Sequence, residues 1–157
     1  MQKNKTCCFT GHREIPVTNI LIKNRLKKEI ERLIEKGVIY FGAGGALGFD
    51  TMAALIVLEL REKYPQIKLI MVLPCPEQDK YWNEKDKSAY AYILDNADKK
   101  VYTSKHYHKG CMHTRNRHLI NNSGICICYL TKKSGGTAYT VAYAMQKNLQ
   151  IINIAEY

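Results

Sequence analysis

Apolar positions along this chain alternate between two rhythms. Short, mainly apolar runs occupy residues 6–10, 38–41, 67–73, 100–103, 125–130 and 150–154. Runs of this length bounded by Gly, Pro or polar turns predict strands. Between them lie longer stretches with helical spacing. In residues 20–36, Leu21, Ile22, Leu26, Ile30, Leu33 and Ile34 fall on one stripe, and Gly37 closes it. Further helices are predicted at 50–63, stopped by Pro65, and at 81–97, 111–121 and 136–146. Strands alternating with helices imply an α/β fold of three layers, a mainly parallel sheet with helices on both faces. The strands read as continuous apolar runs rather than alternating ones, as parallel strands buried on both faces do. With 157 residues and no repeat or linker, one domain spanning 1–157 is expected.

Residues 51–60 (TMAALIVLEL) are apolar nearly all round. A helix of that kind must be covered on every side. Two readings stand: a crossover helix packed inside the chain, or a homodimer contact.

Composition narrows the class. Apolar residues make up 46% and charged residues 24%, an ordinary globular balance. No apolar stretch is long enough to cross a bilayer, and no signal-peptide pattern follows the polar start. The net charge of +10 makes nucleic acid a candidate partner. The charge is mostly lysine, and its densest cluster, residues 23–36, is interleaved with Glu29, Glu31 and Glu35, as on a solvated helix face. Six cysteines are present, but Cys7, Cys8, Cys126 and Cys128 sit inside strand-like runs. That placement fits core residues in a reducing cytosol, so a cytoplasmic protein is expected.

In open parallel sheets, ligands bind beyond the carboxyl ends of the strands. The small and polar clusters of this chain fall there. Thr10, Gly11, His12 and Arg13 follow the first strand. Gly44, Gly45, Gly48 and Asp50 follow the second. Ser134, Gly135, Gly136 and Thr137 follow the fifth and start a helix. Glycine admits close approach of backbone amides, and a helix N-terminus offers unpaired N–H groups to phosphate. Arg13 and Arg115 can add bidentate contacts. Asp50 either caps its helix or holds a ribose hydroxyl.

Several common motifs are absent. Gly42-x-Gly44-x3-Gly48 is one residue longer than the dinucleotide fingerprint, and no acid ends the next strand, so ordinary NAD binding is disfavoured. There is no Gly-Lys-Ser/Thr phosphate loop and no Gly-x-Ser-x-Gly elbow. His106-x-His108-x2-Cys111-x-His113 has no familiar zinc spacing; surface and loop histidines are expected, with no metal and no cofactor. Tyr81, Trp82, Tyr90 and Tyr92 are expected to pack, with base stacking as the alternative.

At these loops the chain resembles the SLOG superfamily, a Rossmann-like group containing YpsA-like proteins, LOG (lysine-decarboxylase-like) enzymes and the DNA-processing DprA proteins. The YpsA-like branch, of unknown function, is the most similar. Four segments carry the resemblance, which covers nearly the whole chain: CFTGHR from Cys8, GGALGFDTMAA from Gly44, KGCMHTRNR from Lys109, and SGGTAYT from Ser134. It implies a Rossmann-like domain that binds a nucleotide or nucleotide-derived small molecule, as a sensor or binding module. The implied site is Thr10, Gly11, Arg13, Gly44, Gly45, Gly48, Asp50, Arg115, Asn116, Ser134, Gly135, Gly136 and Thr137. Two alternatives follow from the relatives. LOG enzymes cleave nucleoside monophosphates at the N-glycosidic bond, and their catalytic arginine matches Arg115. Near Thr140, however, this chain has a hydroxyl where LOG enzymes carry a glutamate, and a hydroxyl can neither serve as the base nor stabilise an oxocarbenium ion. Hydrolysis would therefore need Asp50 or Glu77 instead. DprA proteins bind single-stranded DNA, which the basic charge suits, although the further DprA domains lie outside these 157 residues.

Overall fold

The computed structural model describes residues 2–16 and 18–156. Among them, six strands form one sheet: β1 (Thr6–Gly11), β2 (Tyr40–Ala43), β3 (Lys68–Leu73), β4 (Lys99–Tyr102), β5 (Ile125–Tyr129) and β6 (Gln150–Asn153). Their spatial order is β4-β3-β2-β1-β5-β6, and every neighbouring pair is parallel. The connecting helices are α1 (Ile20–Glu35), α2 (Phe49–Lys63), α3 (Glu84–Asn96), α4 (Cys111–Asn121) and α5 (Gly136–Gln146). The architecture is the three-layer Rossmann-like sandwich that the alternating pattern implied.

Each inner strand splits its side chains between two cores, because successive residues face opposite sides of a sheet. Cys7 and Phe9, Leu69 and Met71, and Ile125 and Ile127 join the larger core, with residues of α1, α2 and α3. Cys8, Ile70 and Val72, and Cys126 and Cys128 join the smaller core under α4 and α5. All six cysteines are free and buried. The chain steps outward from β1 to β4, then returns to lay β5 on the other side of β1. That reversal between β1 and β5 is the topological switch point, where a crevice opens beyond the strand ends. Gly11 pairs with Tyr129 at its lip.

Two expectations are corrected. The helix predicted from residue 81 begins at Glu84, because Asn83 accepts the Asp86 N–H at 2.8 Å and caps it, while Trp82 N–H closes a turn on Asp79. The strand predicted at 38–41 runs instead from Tyr40 to Ala43. Val38 belongs to the helix end, since its N–H donates to the Leu33 carbonyl at 3.0 Å. The apolar helix α2 is covered within the chain, lying between α1 and α3 with Met52, Ala53, Ile56 and Val57 buried. Its thin polar side therefore requires no second copy. No helix among the described residues is long and apolar enough to cross a membrane.

Candidate functional site

A cavity of about 360 Å³ opens at the switch point. Residues 10–14 line it from the end of β1, and Lys132 with residues 134–137 from the end of β5. Ala46 of the loop after β2 and Asp50 of α2 close it, with Met112, His113, Arg115 and Asn116 from α4. Of the thirteen residues singled out from the sequence, ten lie on this lining. Gly44, Gly45 and Gly48 do not; they shape the wall from behind.

Each of those three glycines makes room for protein rather than for the cavity. A Cβ on Gly44 would overlap the Arg115 guanidinium, whose Nη1 donates to the Gly44 carbonyl. Gly48 has φ of +75°, and a Cβ there would overlap the Arg13 carbonyl. Any other residue would be strained by its backbone and by that contact. Gly45 packs against Leu73, Tyr90 and Gln78. In all three cases a glycine signals a close approach, and the neighbour turns out to be a side chain or loop of the chain itself.

Arg115 is the electrostatic centre of the site. It is only 2% exposed. Its Nε donates to Asn116 Oδ1 at 2.7 Å, its Nη1 reaches Gly44 and Gln78, and its Nη2 has only the weak Met112 sulfur acceptor at 3.7 Å. No carboxylate lies within ion-pair distance of it among the described residues. Burial lowers its pKa, and Asp50 opposes that shift. A buried guanidinium without a direct anionic partner is costly unless an anion completes it.

Asp50 faces the same cavity from the first turn of α2. Its Oδ2 accepts the Ala46 N–H at 3.3 Å, so it ties the glycine-rich loop to the helix. Thr51 adds a second tie, donating to the Ala46 carbonyl at 2.9 Å. Burial raises the Asp50 pKa to about 6, against the lowering pull of Arg115 and Arg13. His12 is held with burial, then Lys132, lowering its pKa, and its Nε2 accepts the Thr131 N–H at 2.9 Å. The neutral ring therefore carries its proton on Nδ1. At the mouth, Lys132 and Glu14 pair at 3.3 Å and bridge the loops after β1 and β5.

The helix ends around the cavity share one feature. α2, α4 and α5 each begin at a glycine N-cap (Gly48, Gly110 and Gly135) with no side-chain cap. The first amides of such helices have no partner within the helix. Those of Gly136 and Thr137 border the cavity directly. Asn116 and Thr140 clip α4 to α5 behind them. Asn116 Nδ2 donates to Thr140 Oγ1 at 3.1 Å, and Thr140 donates to the Gly136 carbonyl at 2.9 Å.

Sequence reasoning did not single out Glu14, Ala46, Lys132, Met112 and His113 as site residues, nor the ring of His12. All lie within three residues in the chain of a residue that was named, and nearness in the chain was the available signal. Gln78 was invisible from the sequence. It comes from the loop after β3, donates to the Gly44 carbonyl and to Tyr90 Oη at 3.2 Å each, and steadies Arg115. The histidine-rich segment disperses. His106 pairs with Glu77 at 3.2 Å, His108 bonds Ser104 at 2.9 Å, Cys111 is buried and His113 faces the cavity. No group of three metal-ligating side chains is formed among the described residues. Trp82 and Tyr90 pack edge to face at 5.2 Å, and none of Tyr81, Trp82, Tyr90 and Tyr92 lines the cavity.

The family model described as the YspA SLOG family (YpsA) matches residues 8–155. The chain belongs to the YpsA branch of the SLOG proteins. A UPF0398 protein of Halalkalibacterium halodurans is 32% identical over 132 residues, which cover 82% of this chain and 70% of that protein. One from Brevibacillus brevis is 30% identical over 130 residues, covering 81% and 69%. Among solved structures, DNA processing protein A from Streptococcus pneumoniae superposes with a TM-score of 0.67 at 19% identity. Its counterpart from Helicobacter pylori, described for its single-stranded DNA binding mode, gives 0.64 at 23%. Both matches cover 93% of this YpsA-family chain, but the chain spans only 48% and 62% of those proteins. At such identities the likeness establishes the shared fold.

Proposed function

We propose that the cavity holds a phosphate of a nucleotide unit, and that this unit belongs to single-stranded DNA. Arg115 carries the phosphate half of this reading: a buried guanidinium with no ion-pair partner among the described residues, opening on a cavity bordered by the uncapped amides of Gly136 and Thr137. Exposed Arg13 adds charge at the mouth. The DNA half is supported by the fold shared with DNA processing protein A and by the net charge of +10.

A second reading is a free nucleotide-derived molecule held by a sensor or binding module. The cavity volume of about 360 Å³ favours it, since that falls in the range of small-molecule sites. LOG-type hydrolysis has less support. Thr140, near the position of the LOG glutamate, is buried and spends its hydroxyl on Gly136 and Asn116. Glu77 is engaged with His106, off the cavity lining, and Asp50 is tied back to its own loop.

Fluorescence anisotropy with labelled oligothymidylate tests the proposal. Binding should weaken steeply with salt and be lost in Arg115→Lys, whose single ammonium cannot reproduce the guanidinium contacts. If the strand does not bind but a nucleoside monophosphate raises the melting temperature, the second reading replaces the first.

A further inference from the structure

We infer that Tyr139, steadied by His113 and Arg117, is a stacking platform for a nucleobase beside the phosphate cavity. The inference rests on the reading of that cavity as a nucleotide-phosphate site. His113 and Arg117 are four residues apart on α4 and so share one face. Tyr139 of α5 lies against both. Its ring centroid is 4.6 Å from that of His113, edge to face at 63°. Arg117 Nη2 donates to Tyr139 Oη at 2.6 Å, and the guanidinium carbon lies 5.6 Å from the ring centroid.

The ring is thus held at its hydroxyl by Arg117 and in edge-to-face contact with His113, yet Tyr139 remains 43% exposed. An aromatic held in place before the ligand arrives loses little freedom on stacking. Tyr139 stands three residues after Gly136, so about 4.5 Å along the helix axis from the amides assigned to phosphate. His113 joins the two places, because it lines the cavity and touches the Tyr139 ring. Its Nδ1 is buried without a hydrogen-bond partner. Arg117 adds positive charge along the path of a strand. Stacking on one aromatic face accepts any base, so this platform would add affinity without sequence preference.

The test compares a short oligothymidylate with an abasic strand of the same number of phosphates, by anisotropy. Wild type is expected to bind the thymidylate about tenfold more tightly than the abasic strand. Tyr139→Leu should bind both strands with the wild-type affinity for the abasic one. Tyr139→Phe keeps the ring and should keep most of the preference. Melting temperatures of both variants guard against loss of fold. Equal binding of the two strands by wild type, or a preference that survives in Tyr139→Leu, overturns the platform and leaves the phosphate site standing. Failure of wild type to bind either strand overturns both.

Discussion

The five helices begin in two different ways. α1 and α3 start at Asn19 and Asn83, whose side chains accept the Ile22 and Asp86 amides at 3.2 and 2.8 Å. α2, α4 and α5 start at glycines with no side-chain cap, and all three of those ends border the cavity. The contrast separates ends closed by a side chain from ends without one; of the latter, the Phe49 amide donates to the His12 carbonyl and the Cys111 amide to the His108 carbonyl, while those of Gly136 and Thr137 face the cavity. Glycine in place of asparagine at an N-cap costs a helix only about a few tenths of a kcal/mol. An open end is therefore cheap to maintain, and it keeps donors and a partial positive charge aimed at one place. With Arg115 buried among these ends, the region is short of one anion.

The comparison breaks most visibly if Arg115 is removed. Arg115→Met should abolish strand binding, a loss of at least about a hundredfold, because a buried charge-assisted contact is lost. It should also destabilise the fold by about 2–4 kcal/mol at pH 7.5, since the Gly44 carbonyl and Asn116 Oδ1 lose their donor and Asp50 loses its neighbouring cation. Urea denaturation beside the anisotropy measurement checks both.

Gly136→Asp sharpens the contrast, because its two effects point in opposite directions. A Cβ at Gly136 meets nothing, and an acid in the first turn complements the helix dipole. Stability should hold or rise by about 0.5–1 kcal/mol. Affinity for an anionic strand should fall at least about tenfold, since the new carboxylate occupies the place assigned to phosphate.

A smaller effect follows from Asp50, whose pKa is raised to about 6 by burial. The folded chain holds this proton over a range where the unfolded chain, with an ordinary carboxylate near 4, has released it. The stability contributed by the protonated form is present below about pH 4 and is lost as pH rises through about 6. Ionised Asp50 also opposes an anion in the cavity. Phosphodiesters keep one charge throughout, so strand affinity should rise severalfold from pH 7.5 to 5.5. Asp50→Asn should flatten that rise. What slope remains belongs to His12, which lines the same cavity and whose pKa is lowered by burial.

The smallest effect lies at the closed ends. Asn83→Ala should cost about 1 kcal/mol and leave strand affinity unchanged. A change in affinity there would mean that the two kinds of helix end do not differ in role.

Much of this architecture was legible in the sequence because parallel strands bury both faces. The runs at 69–73 and 125–128 are buried throughout, with no solvent side to interrupt them. Element ends were less legible where a single cap or turn bond decides them, as at Val38 and Asn83. Strand order was not legible at all, because nothing local records that β5 returns to lie beside β1. The site was legible in part for a related reason. Glycine records that something comes close, without recording whether it is a ligand or a neighbour. Gly136 borders the cavity, whereas Gly44 makes way for Arg115. Gln78 left no trace, since its role exists only once the loop after β3 meets the loop after β2.

The central claim is that the open ends of α4 and α5 and the Arg115 guanidinium converge on one bound anion. Titrating a short oligothymidylate into the isotopically labelled chain, and following amide and arginine Nε resonances by NMR, tests it most directly. The largest shifts are expected at Gly136, Thr137 and the Arg115 Nε–H. Shifts confined to the lysine-rich face of α1 around Lys27 and Lys28, with Gly136, Thr137 and Arg115 unmoved, would contradict it.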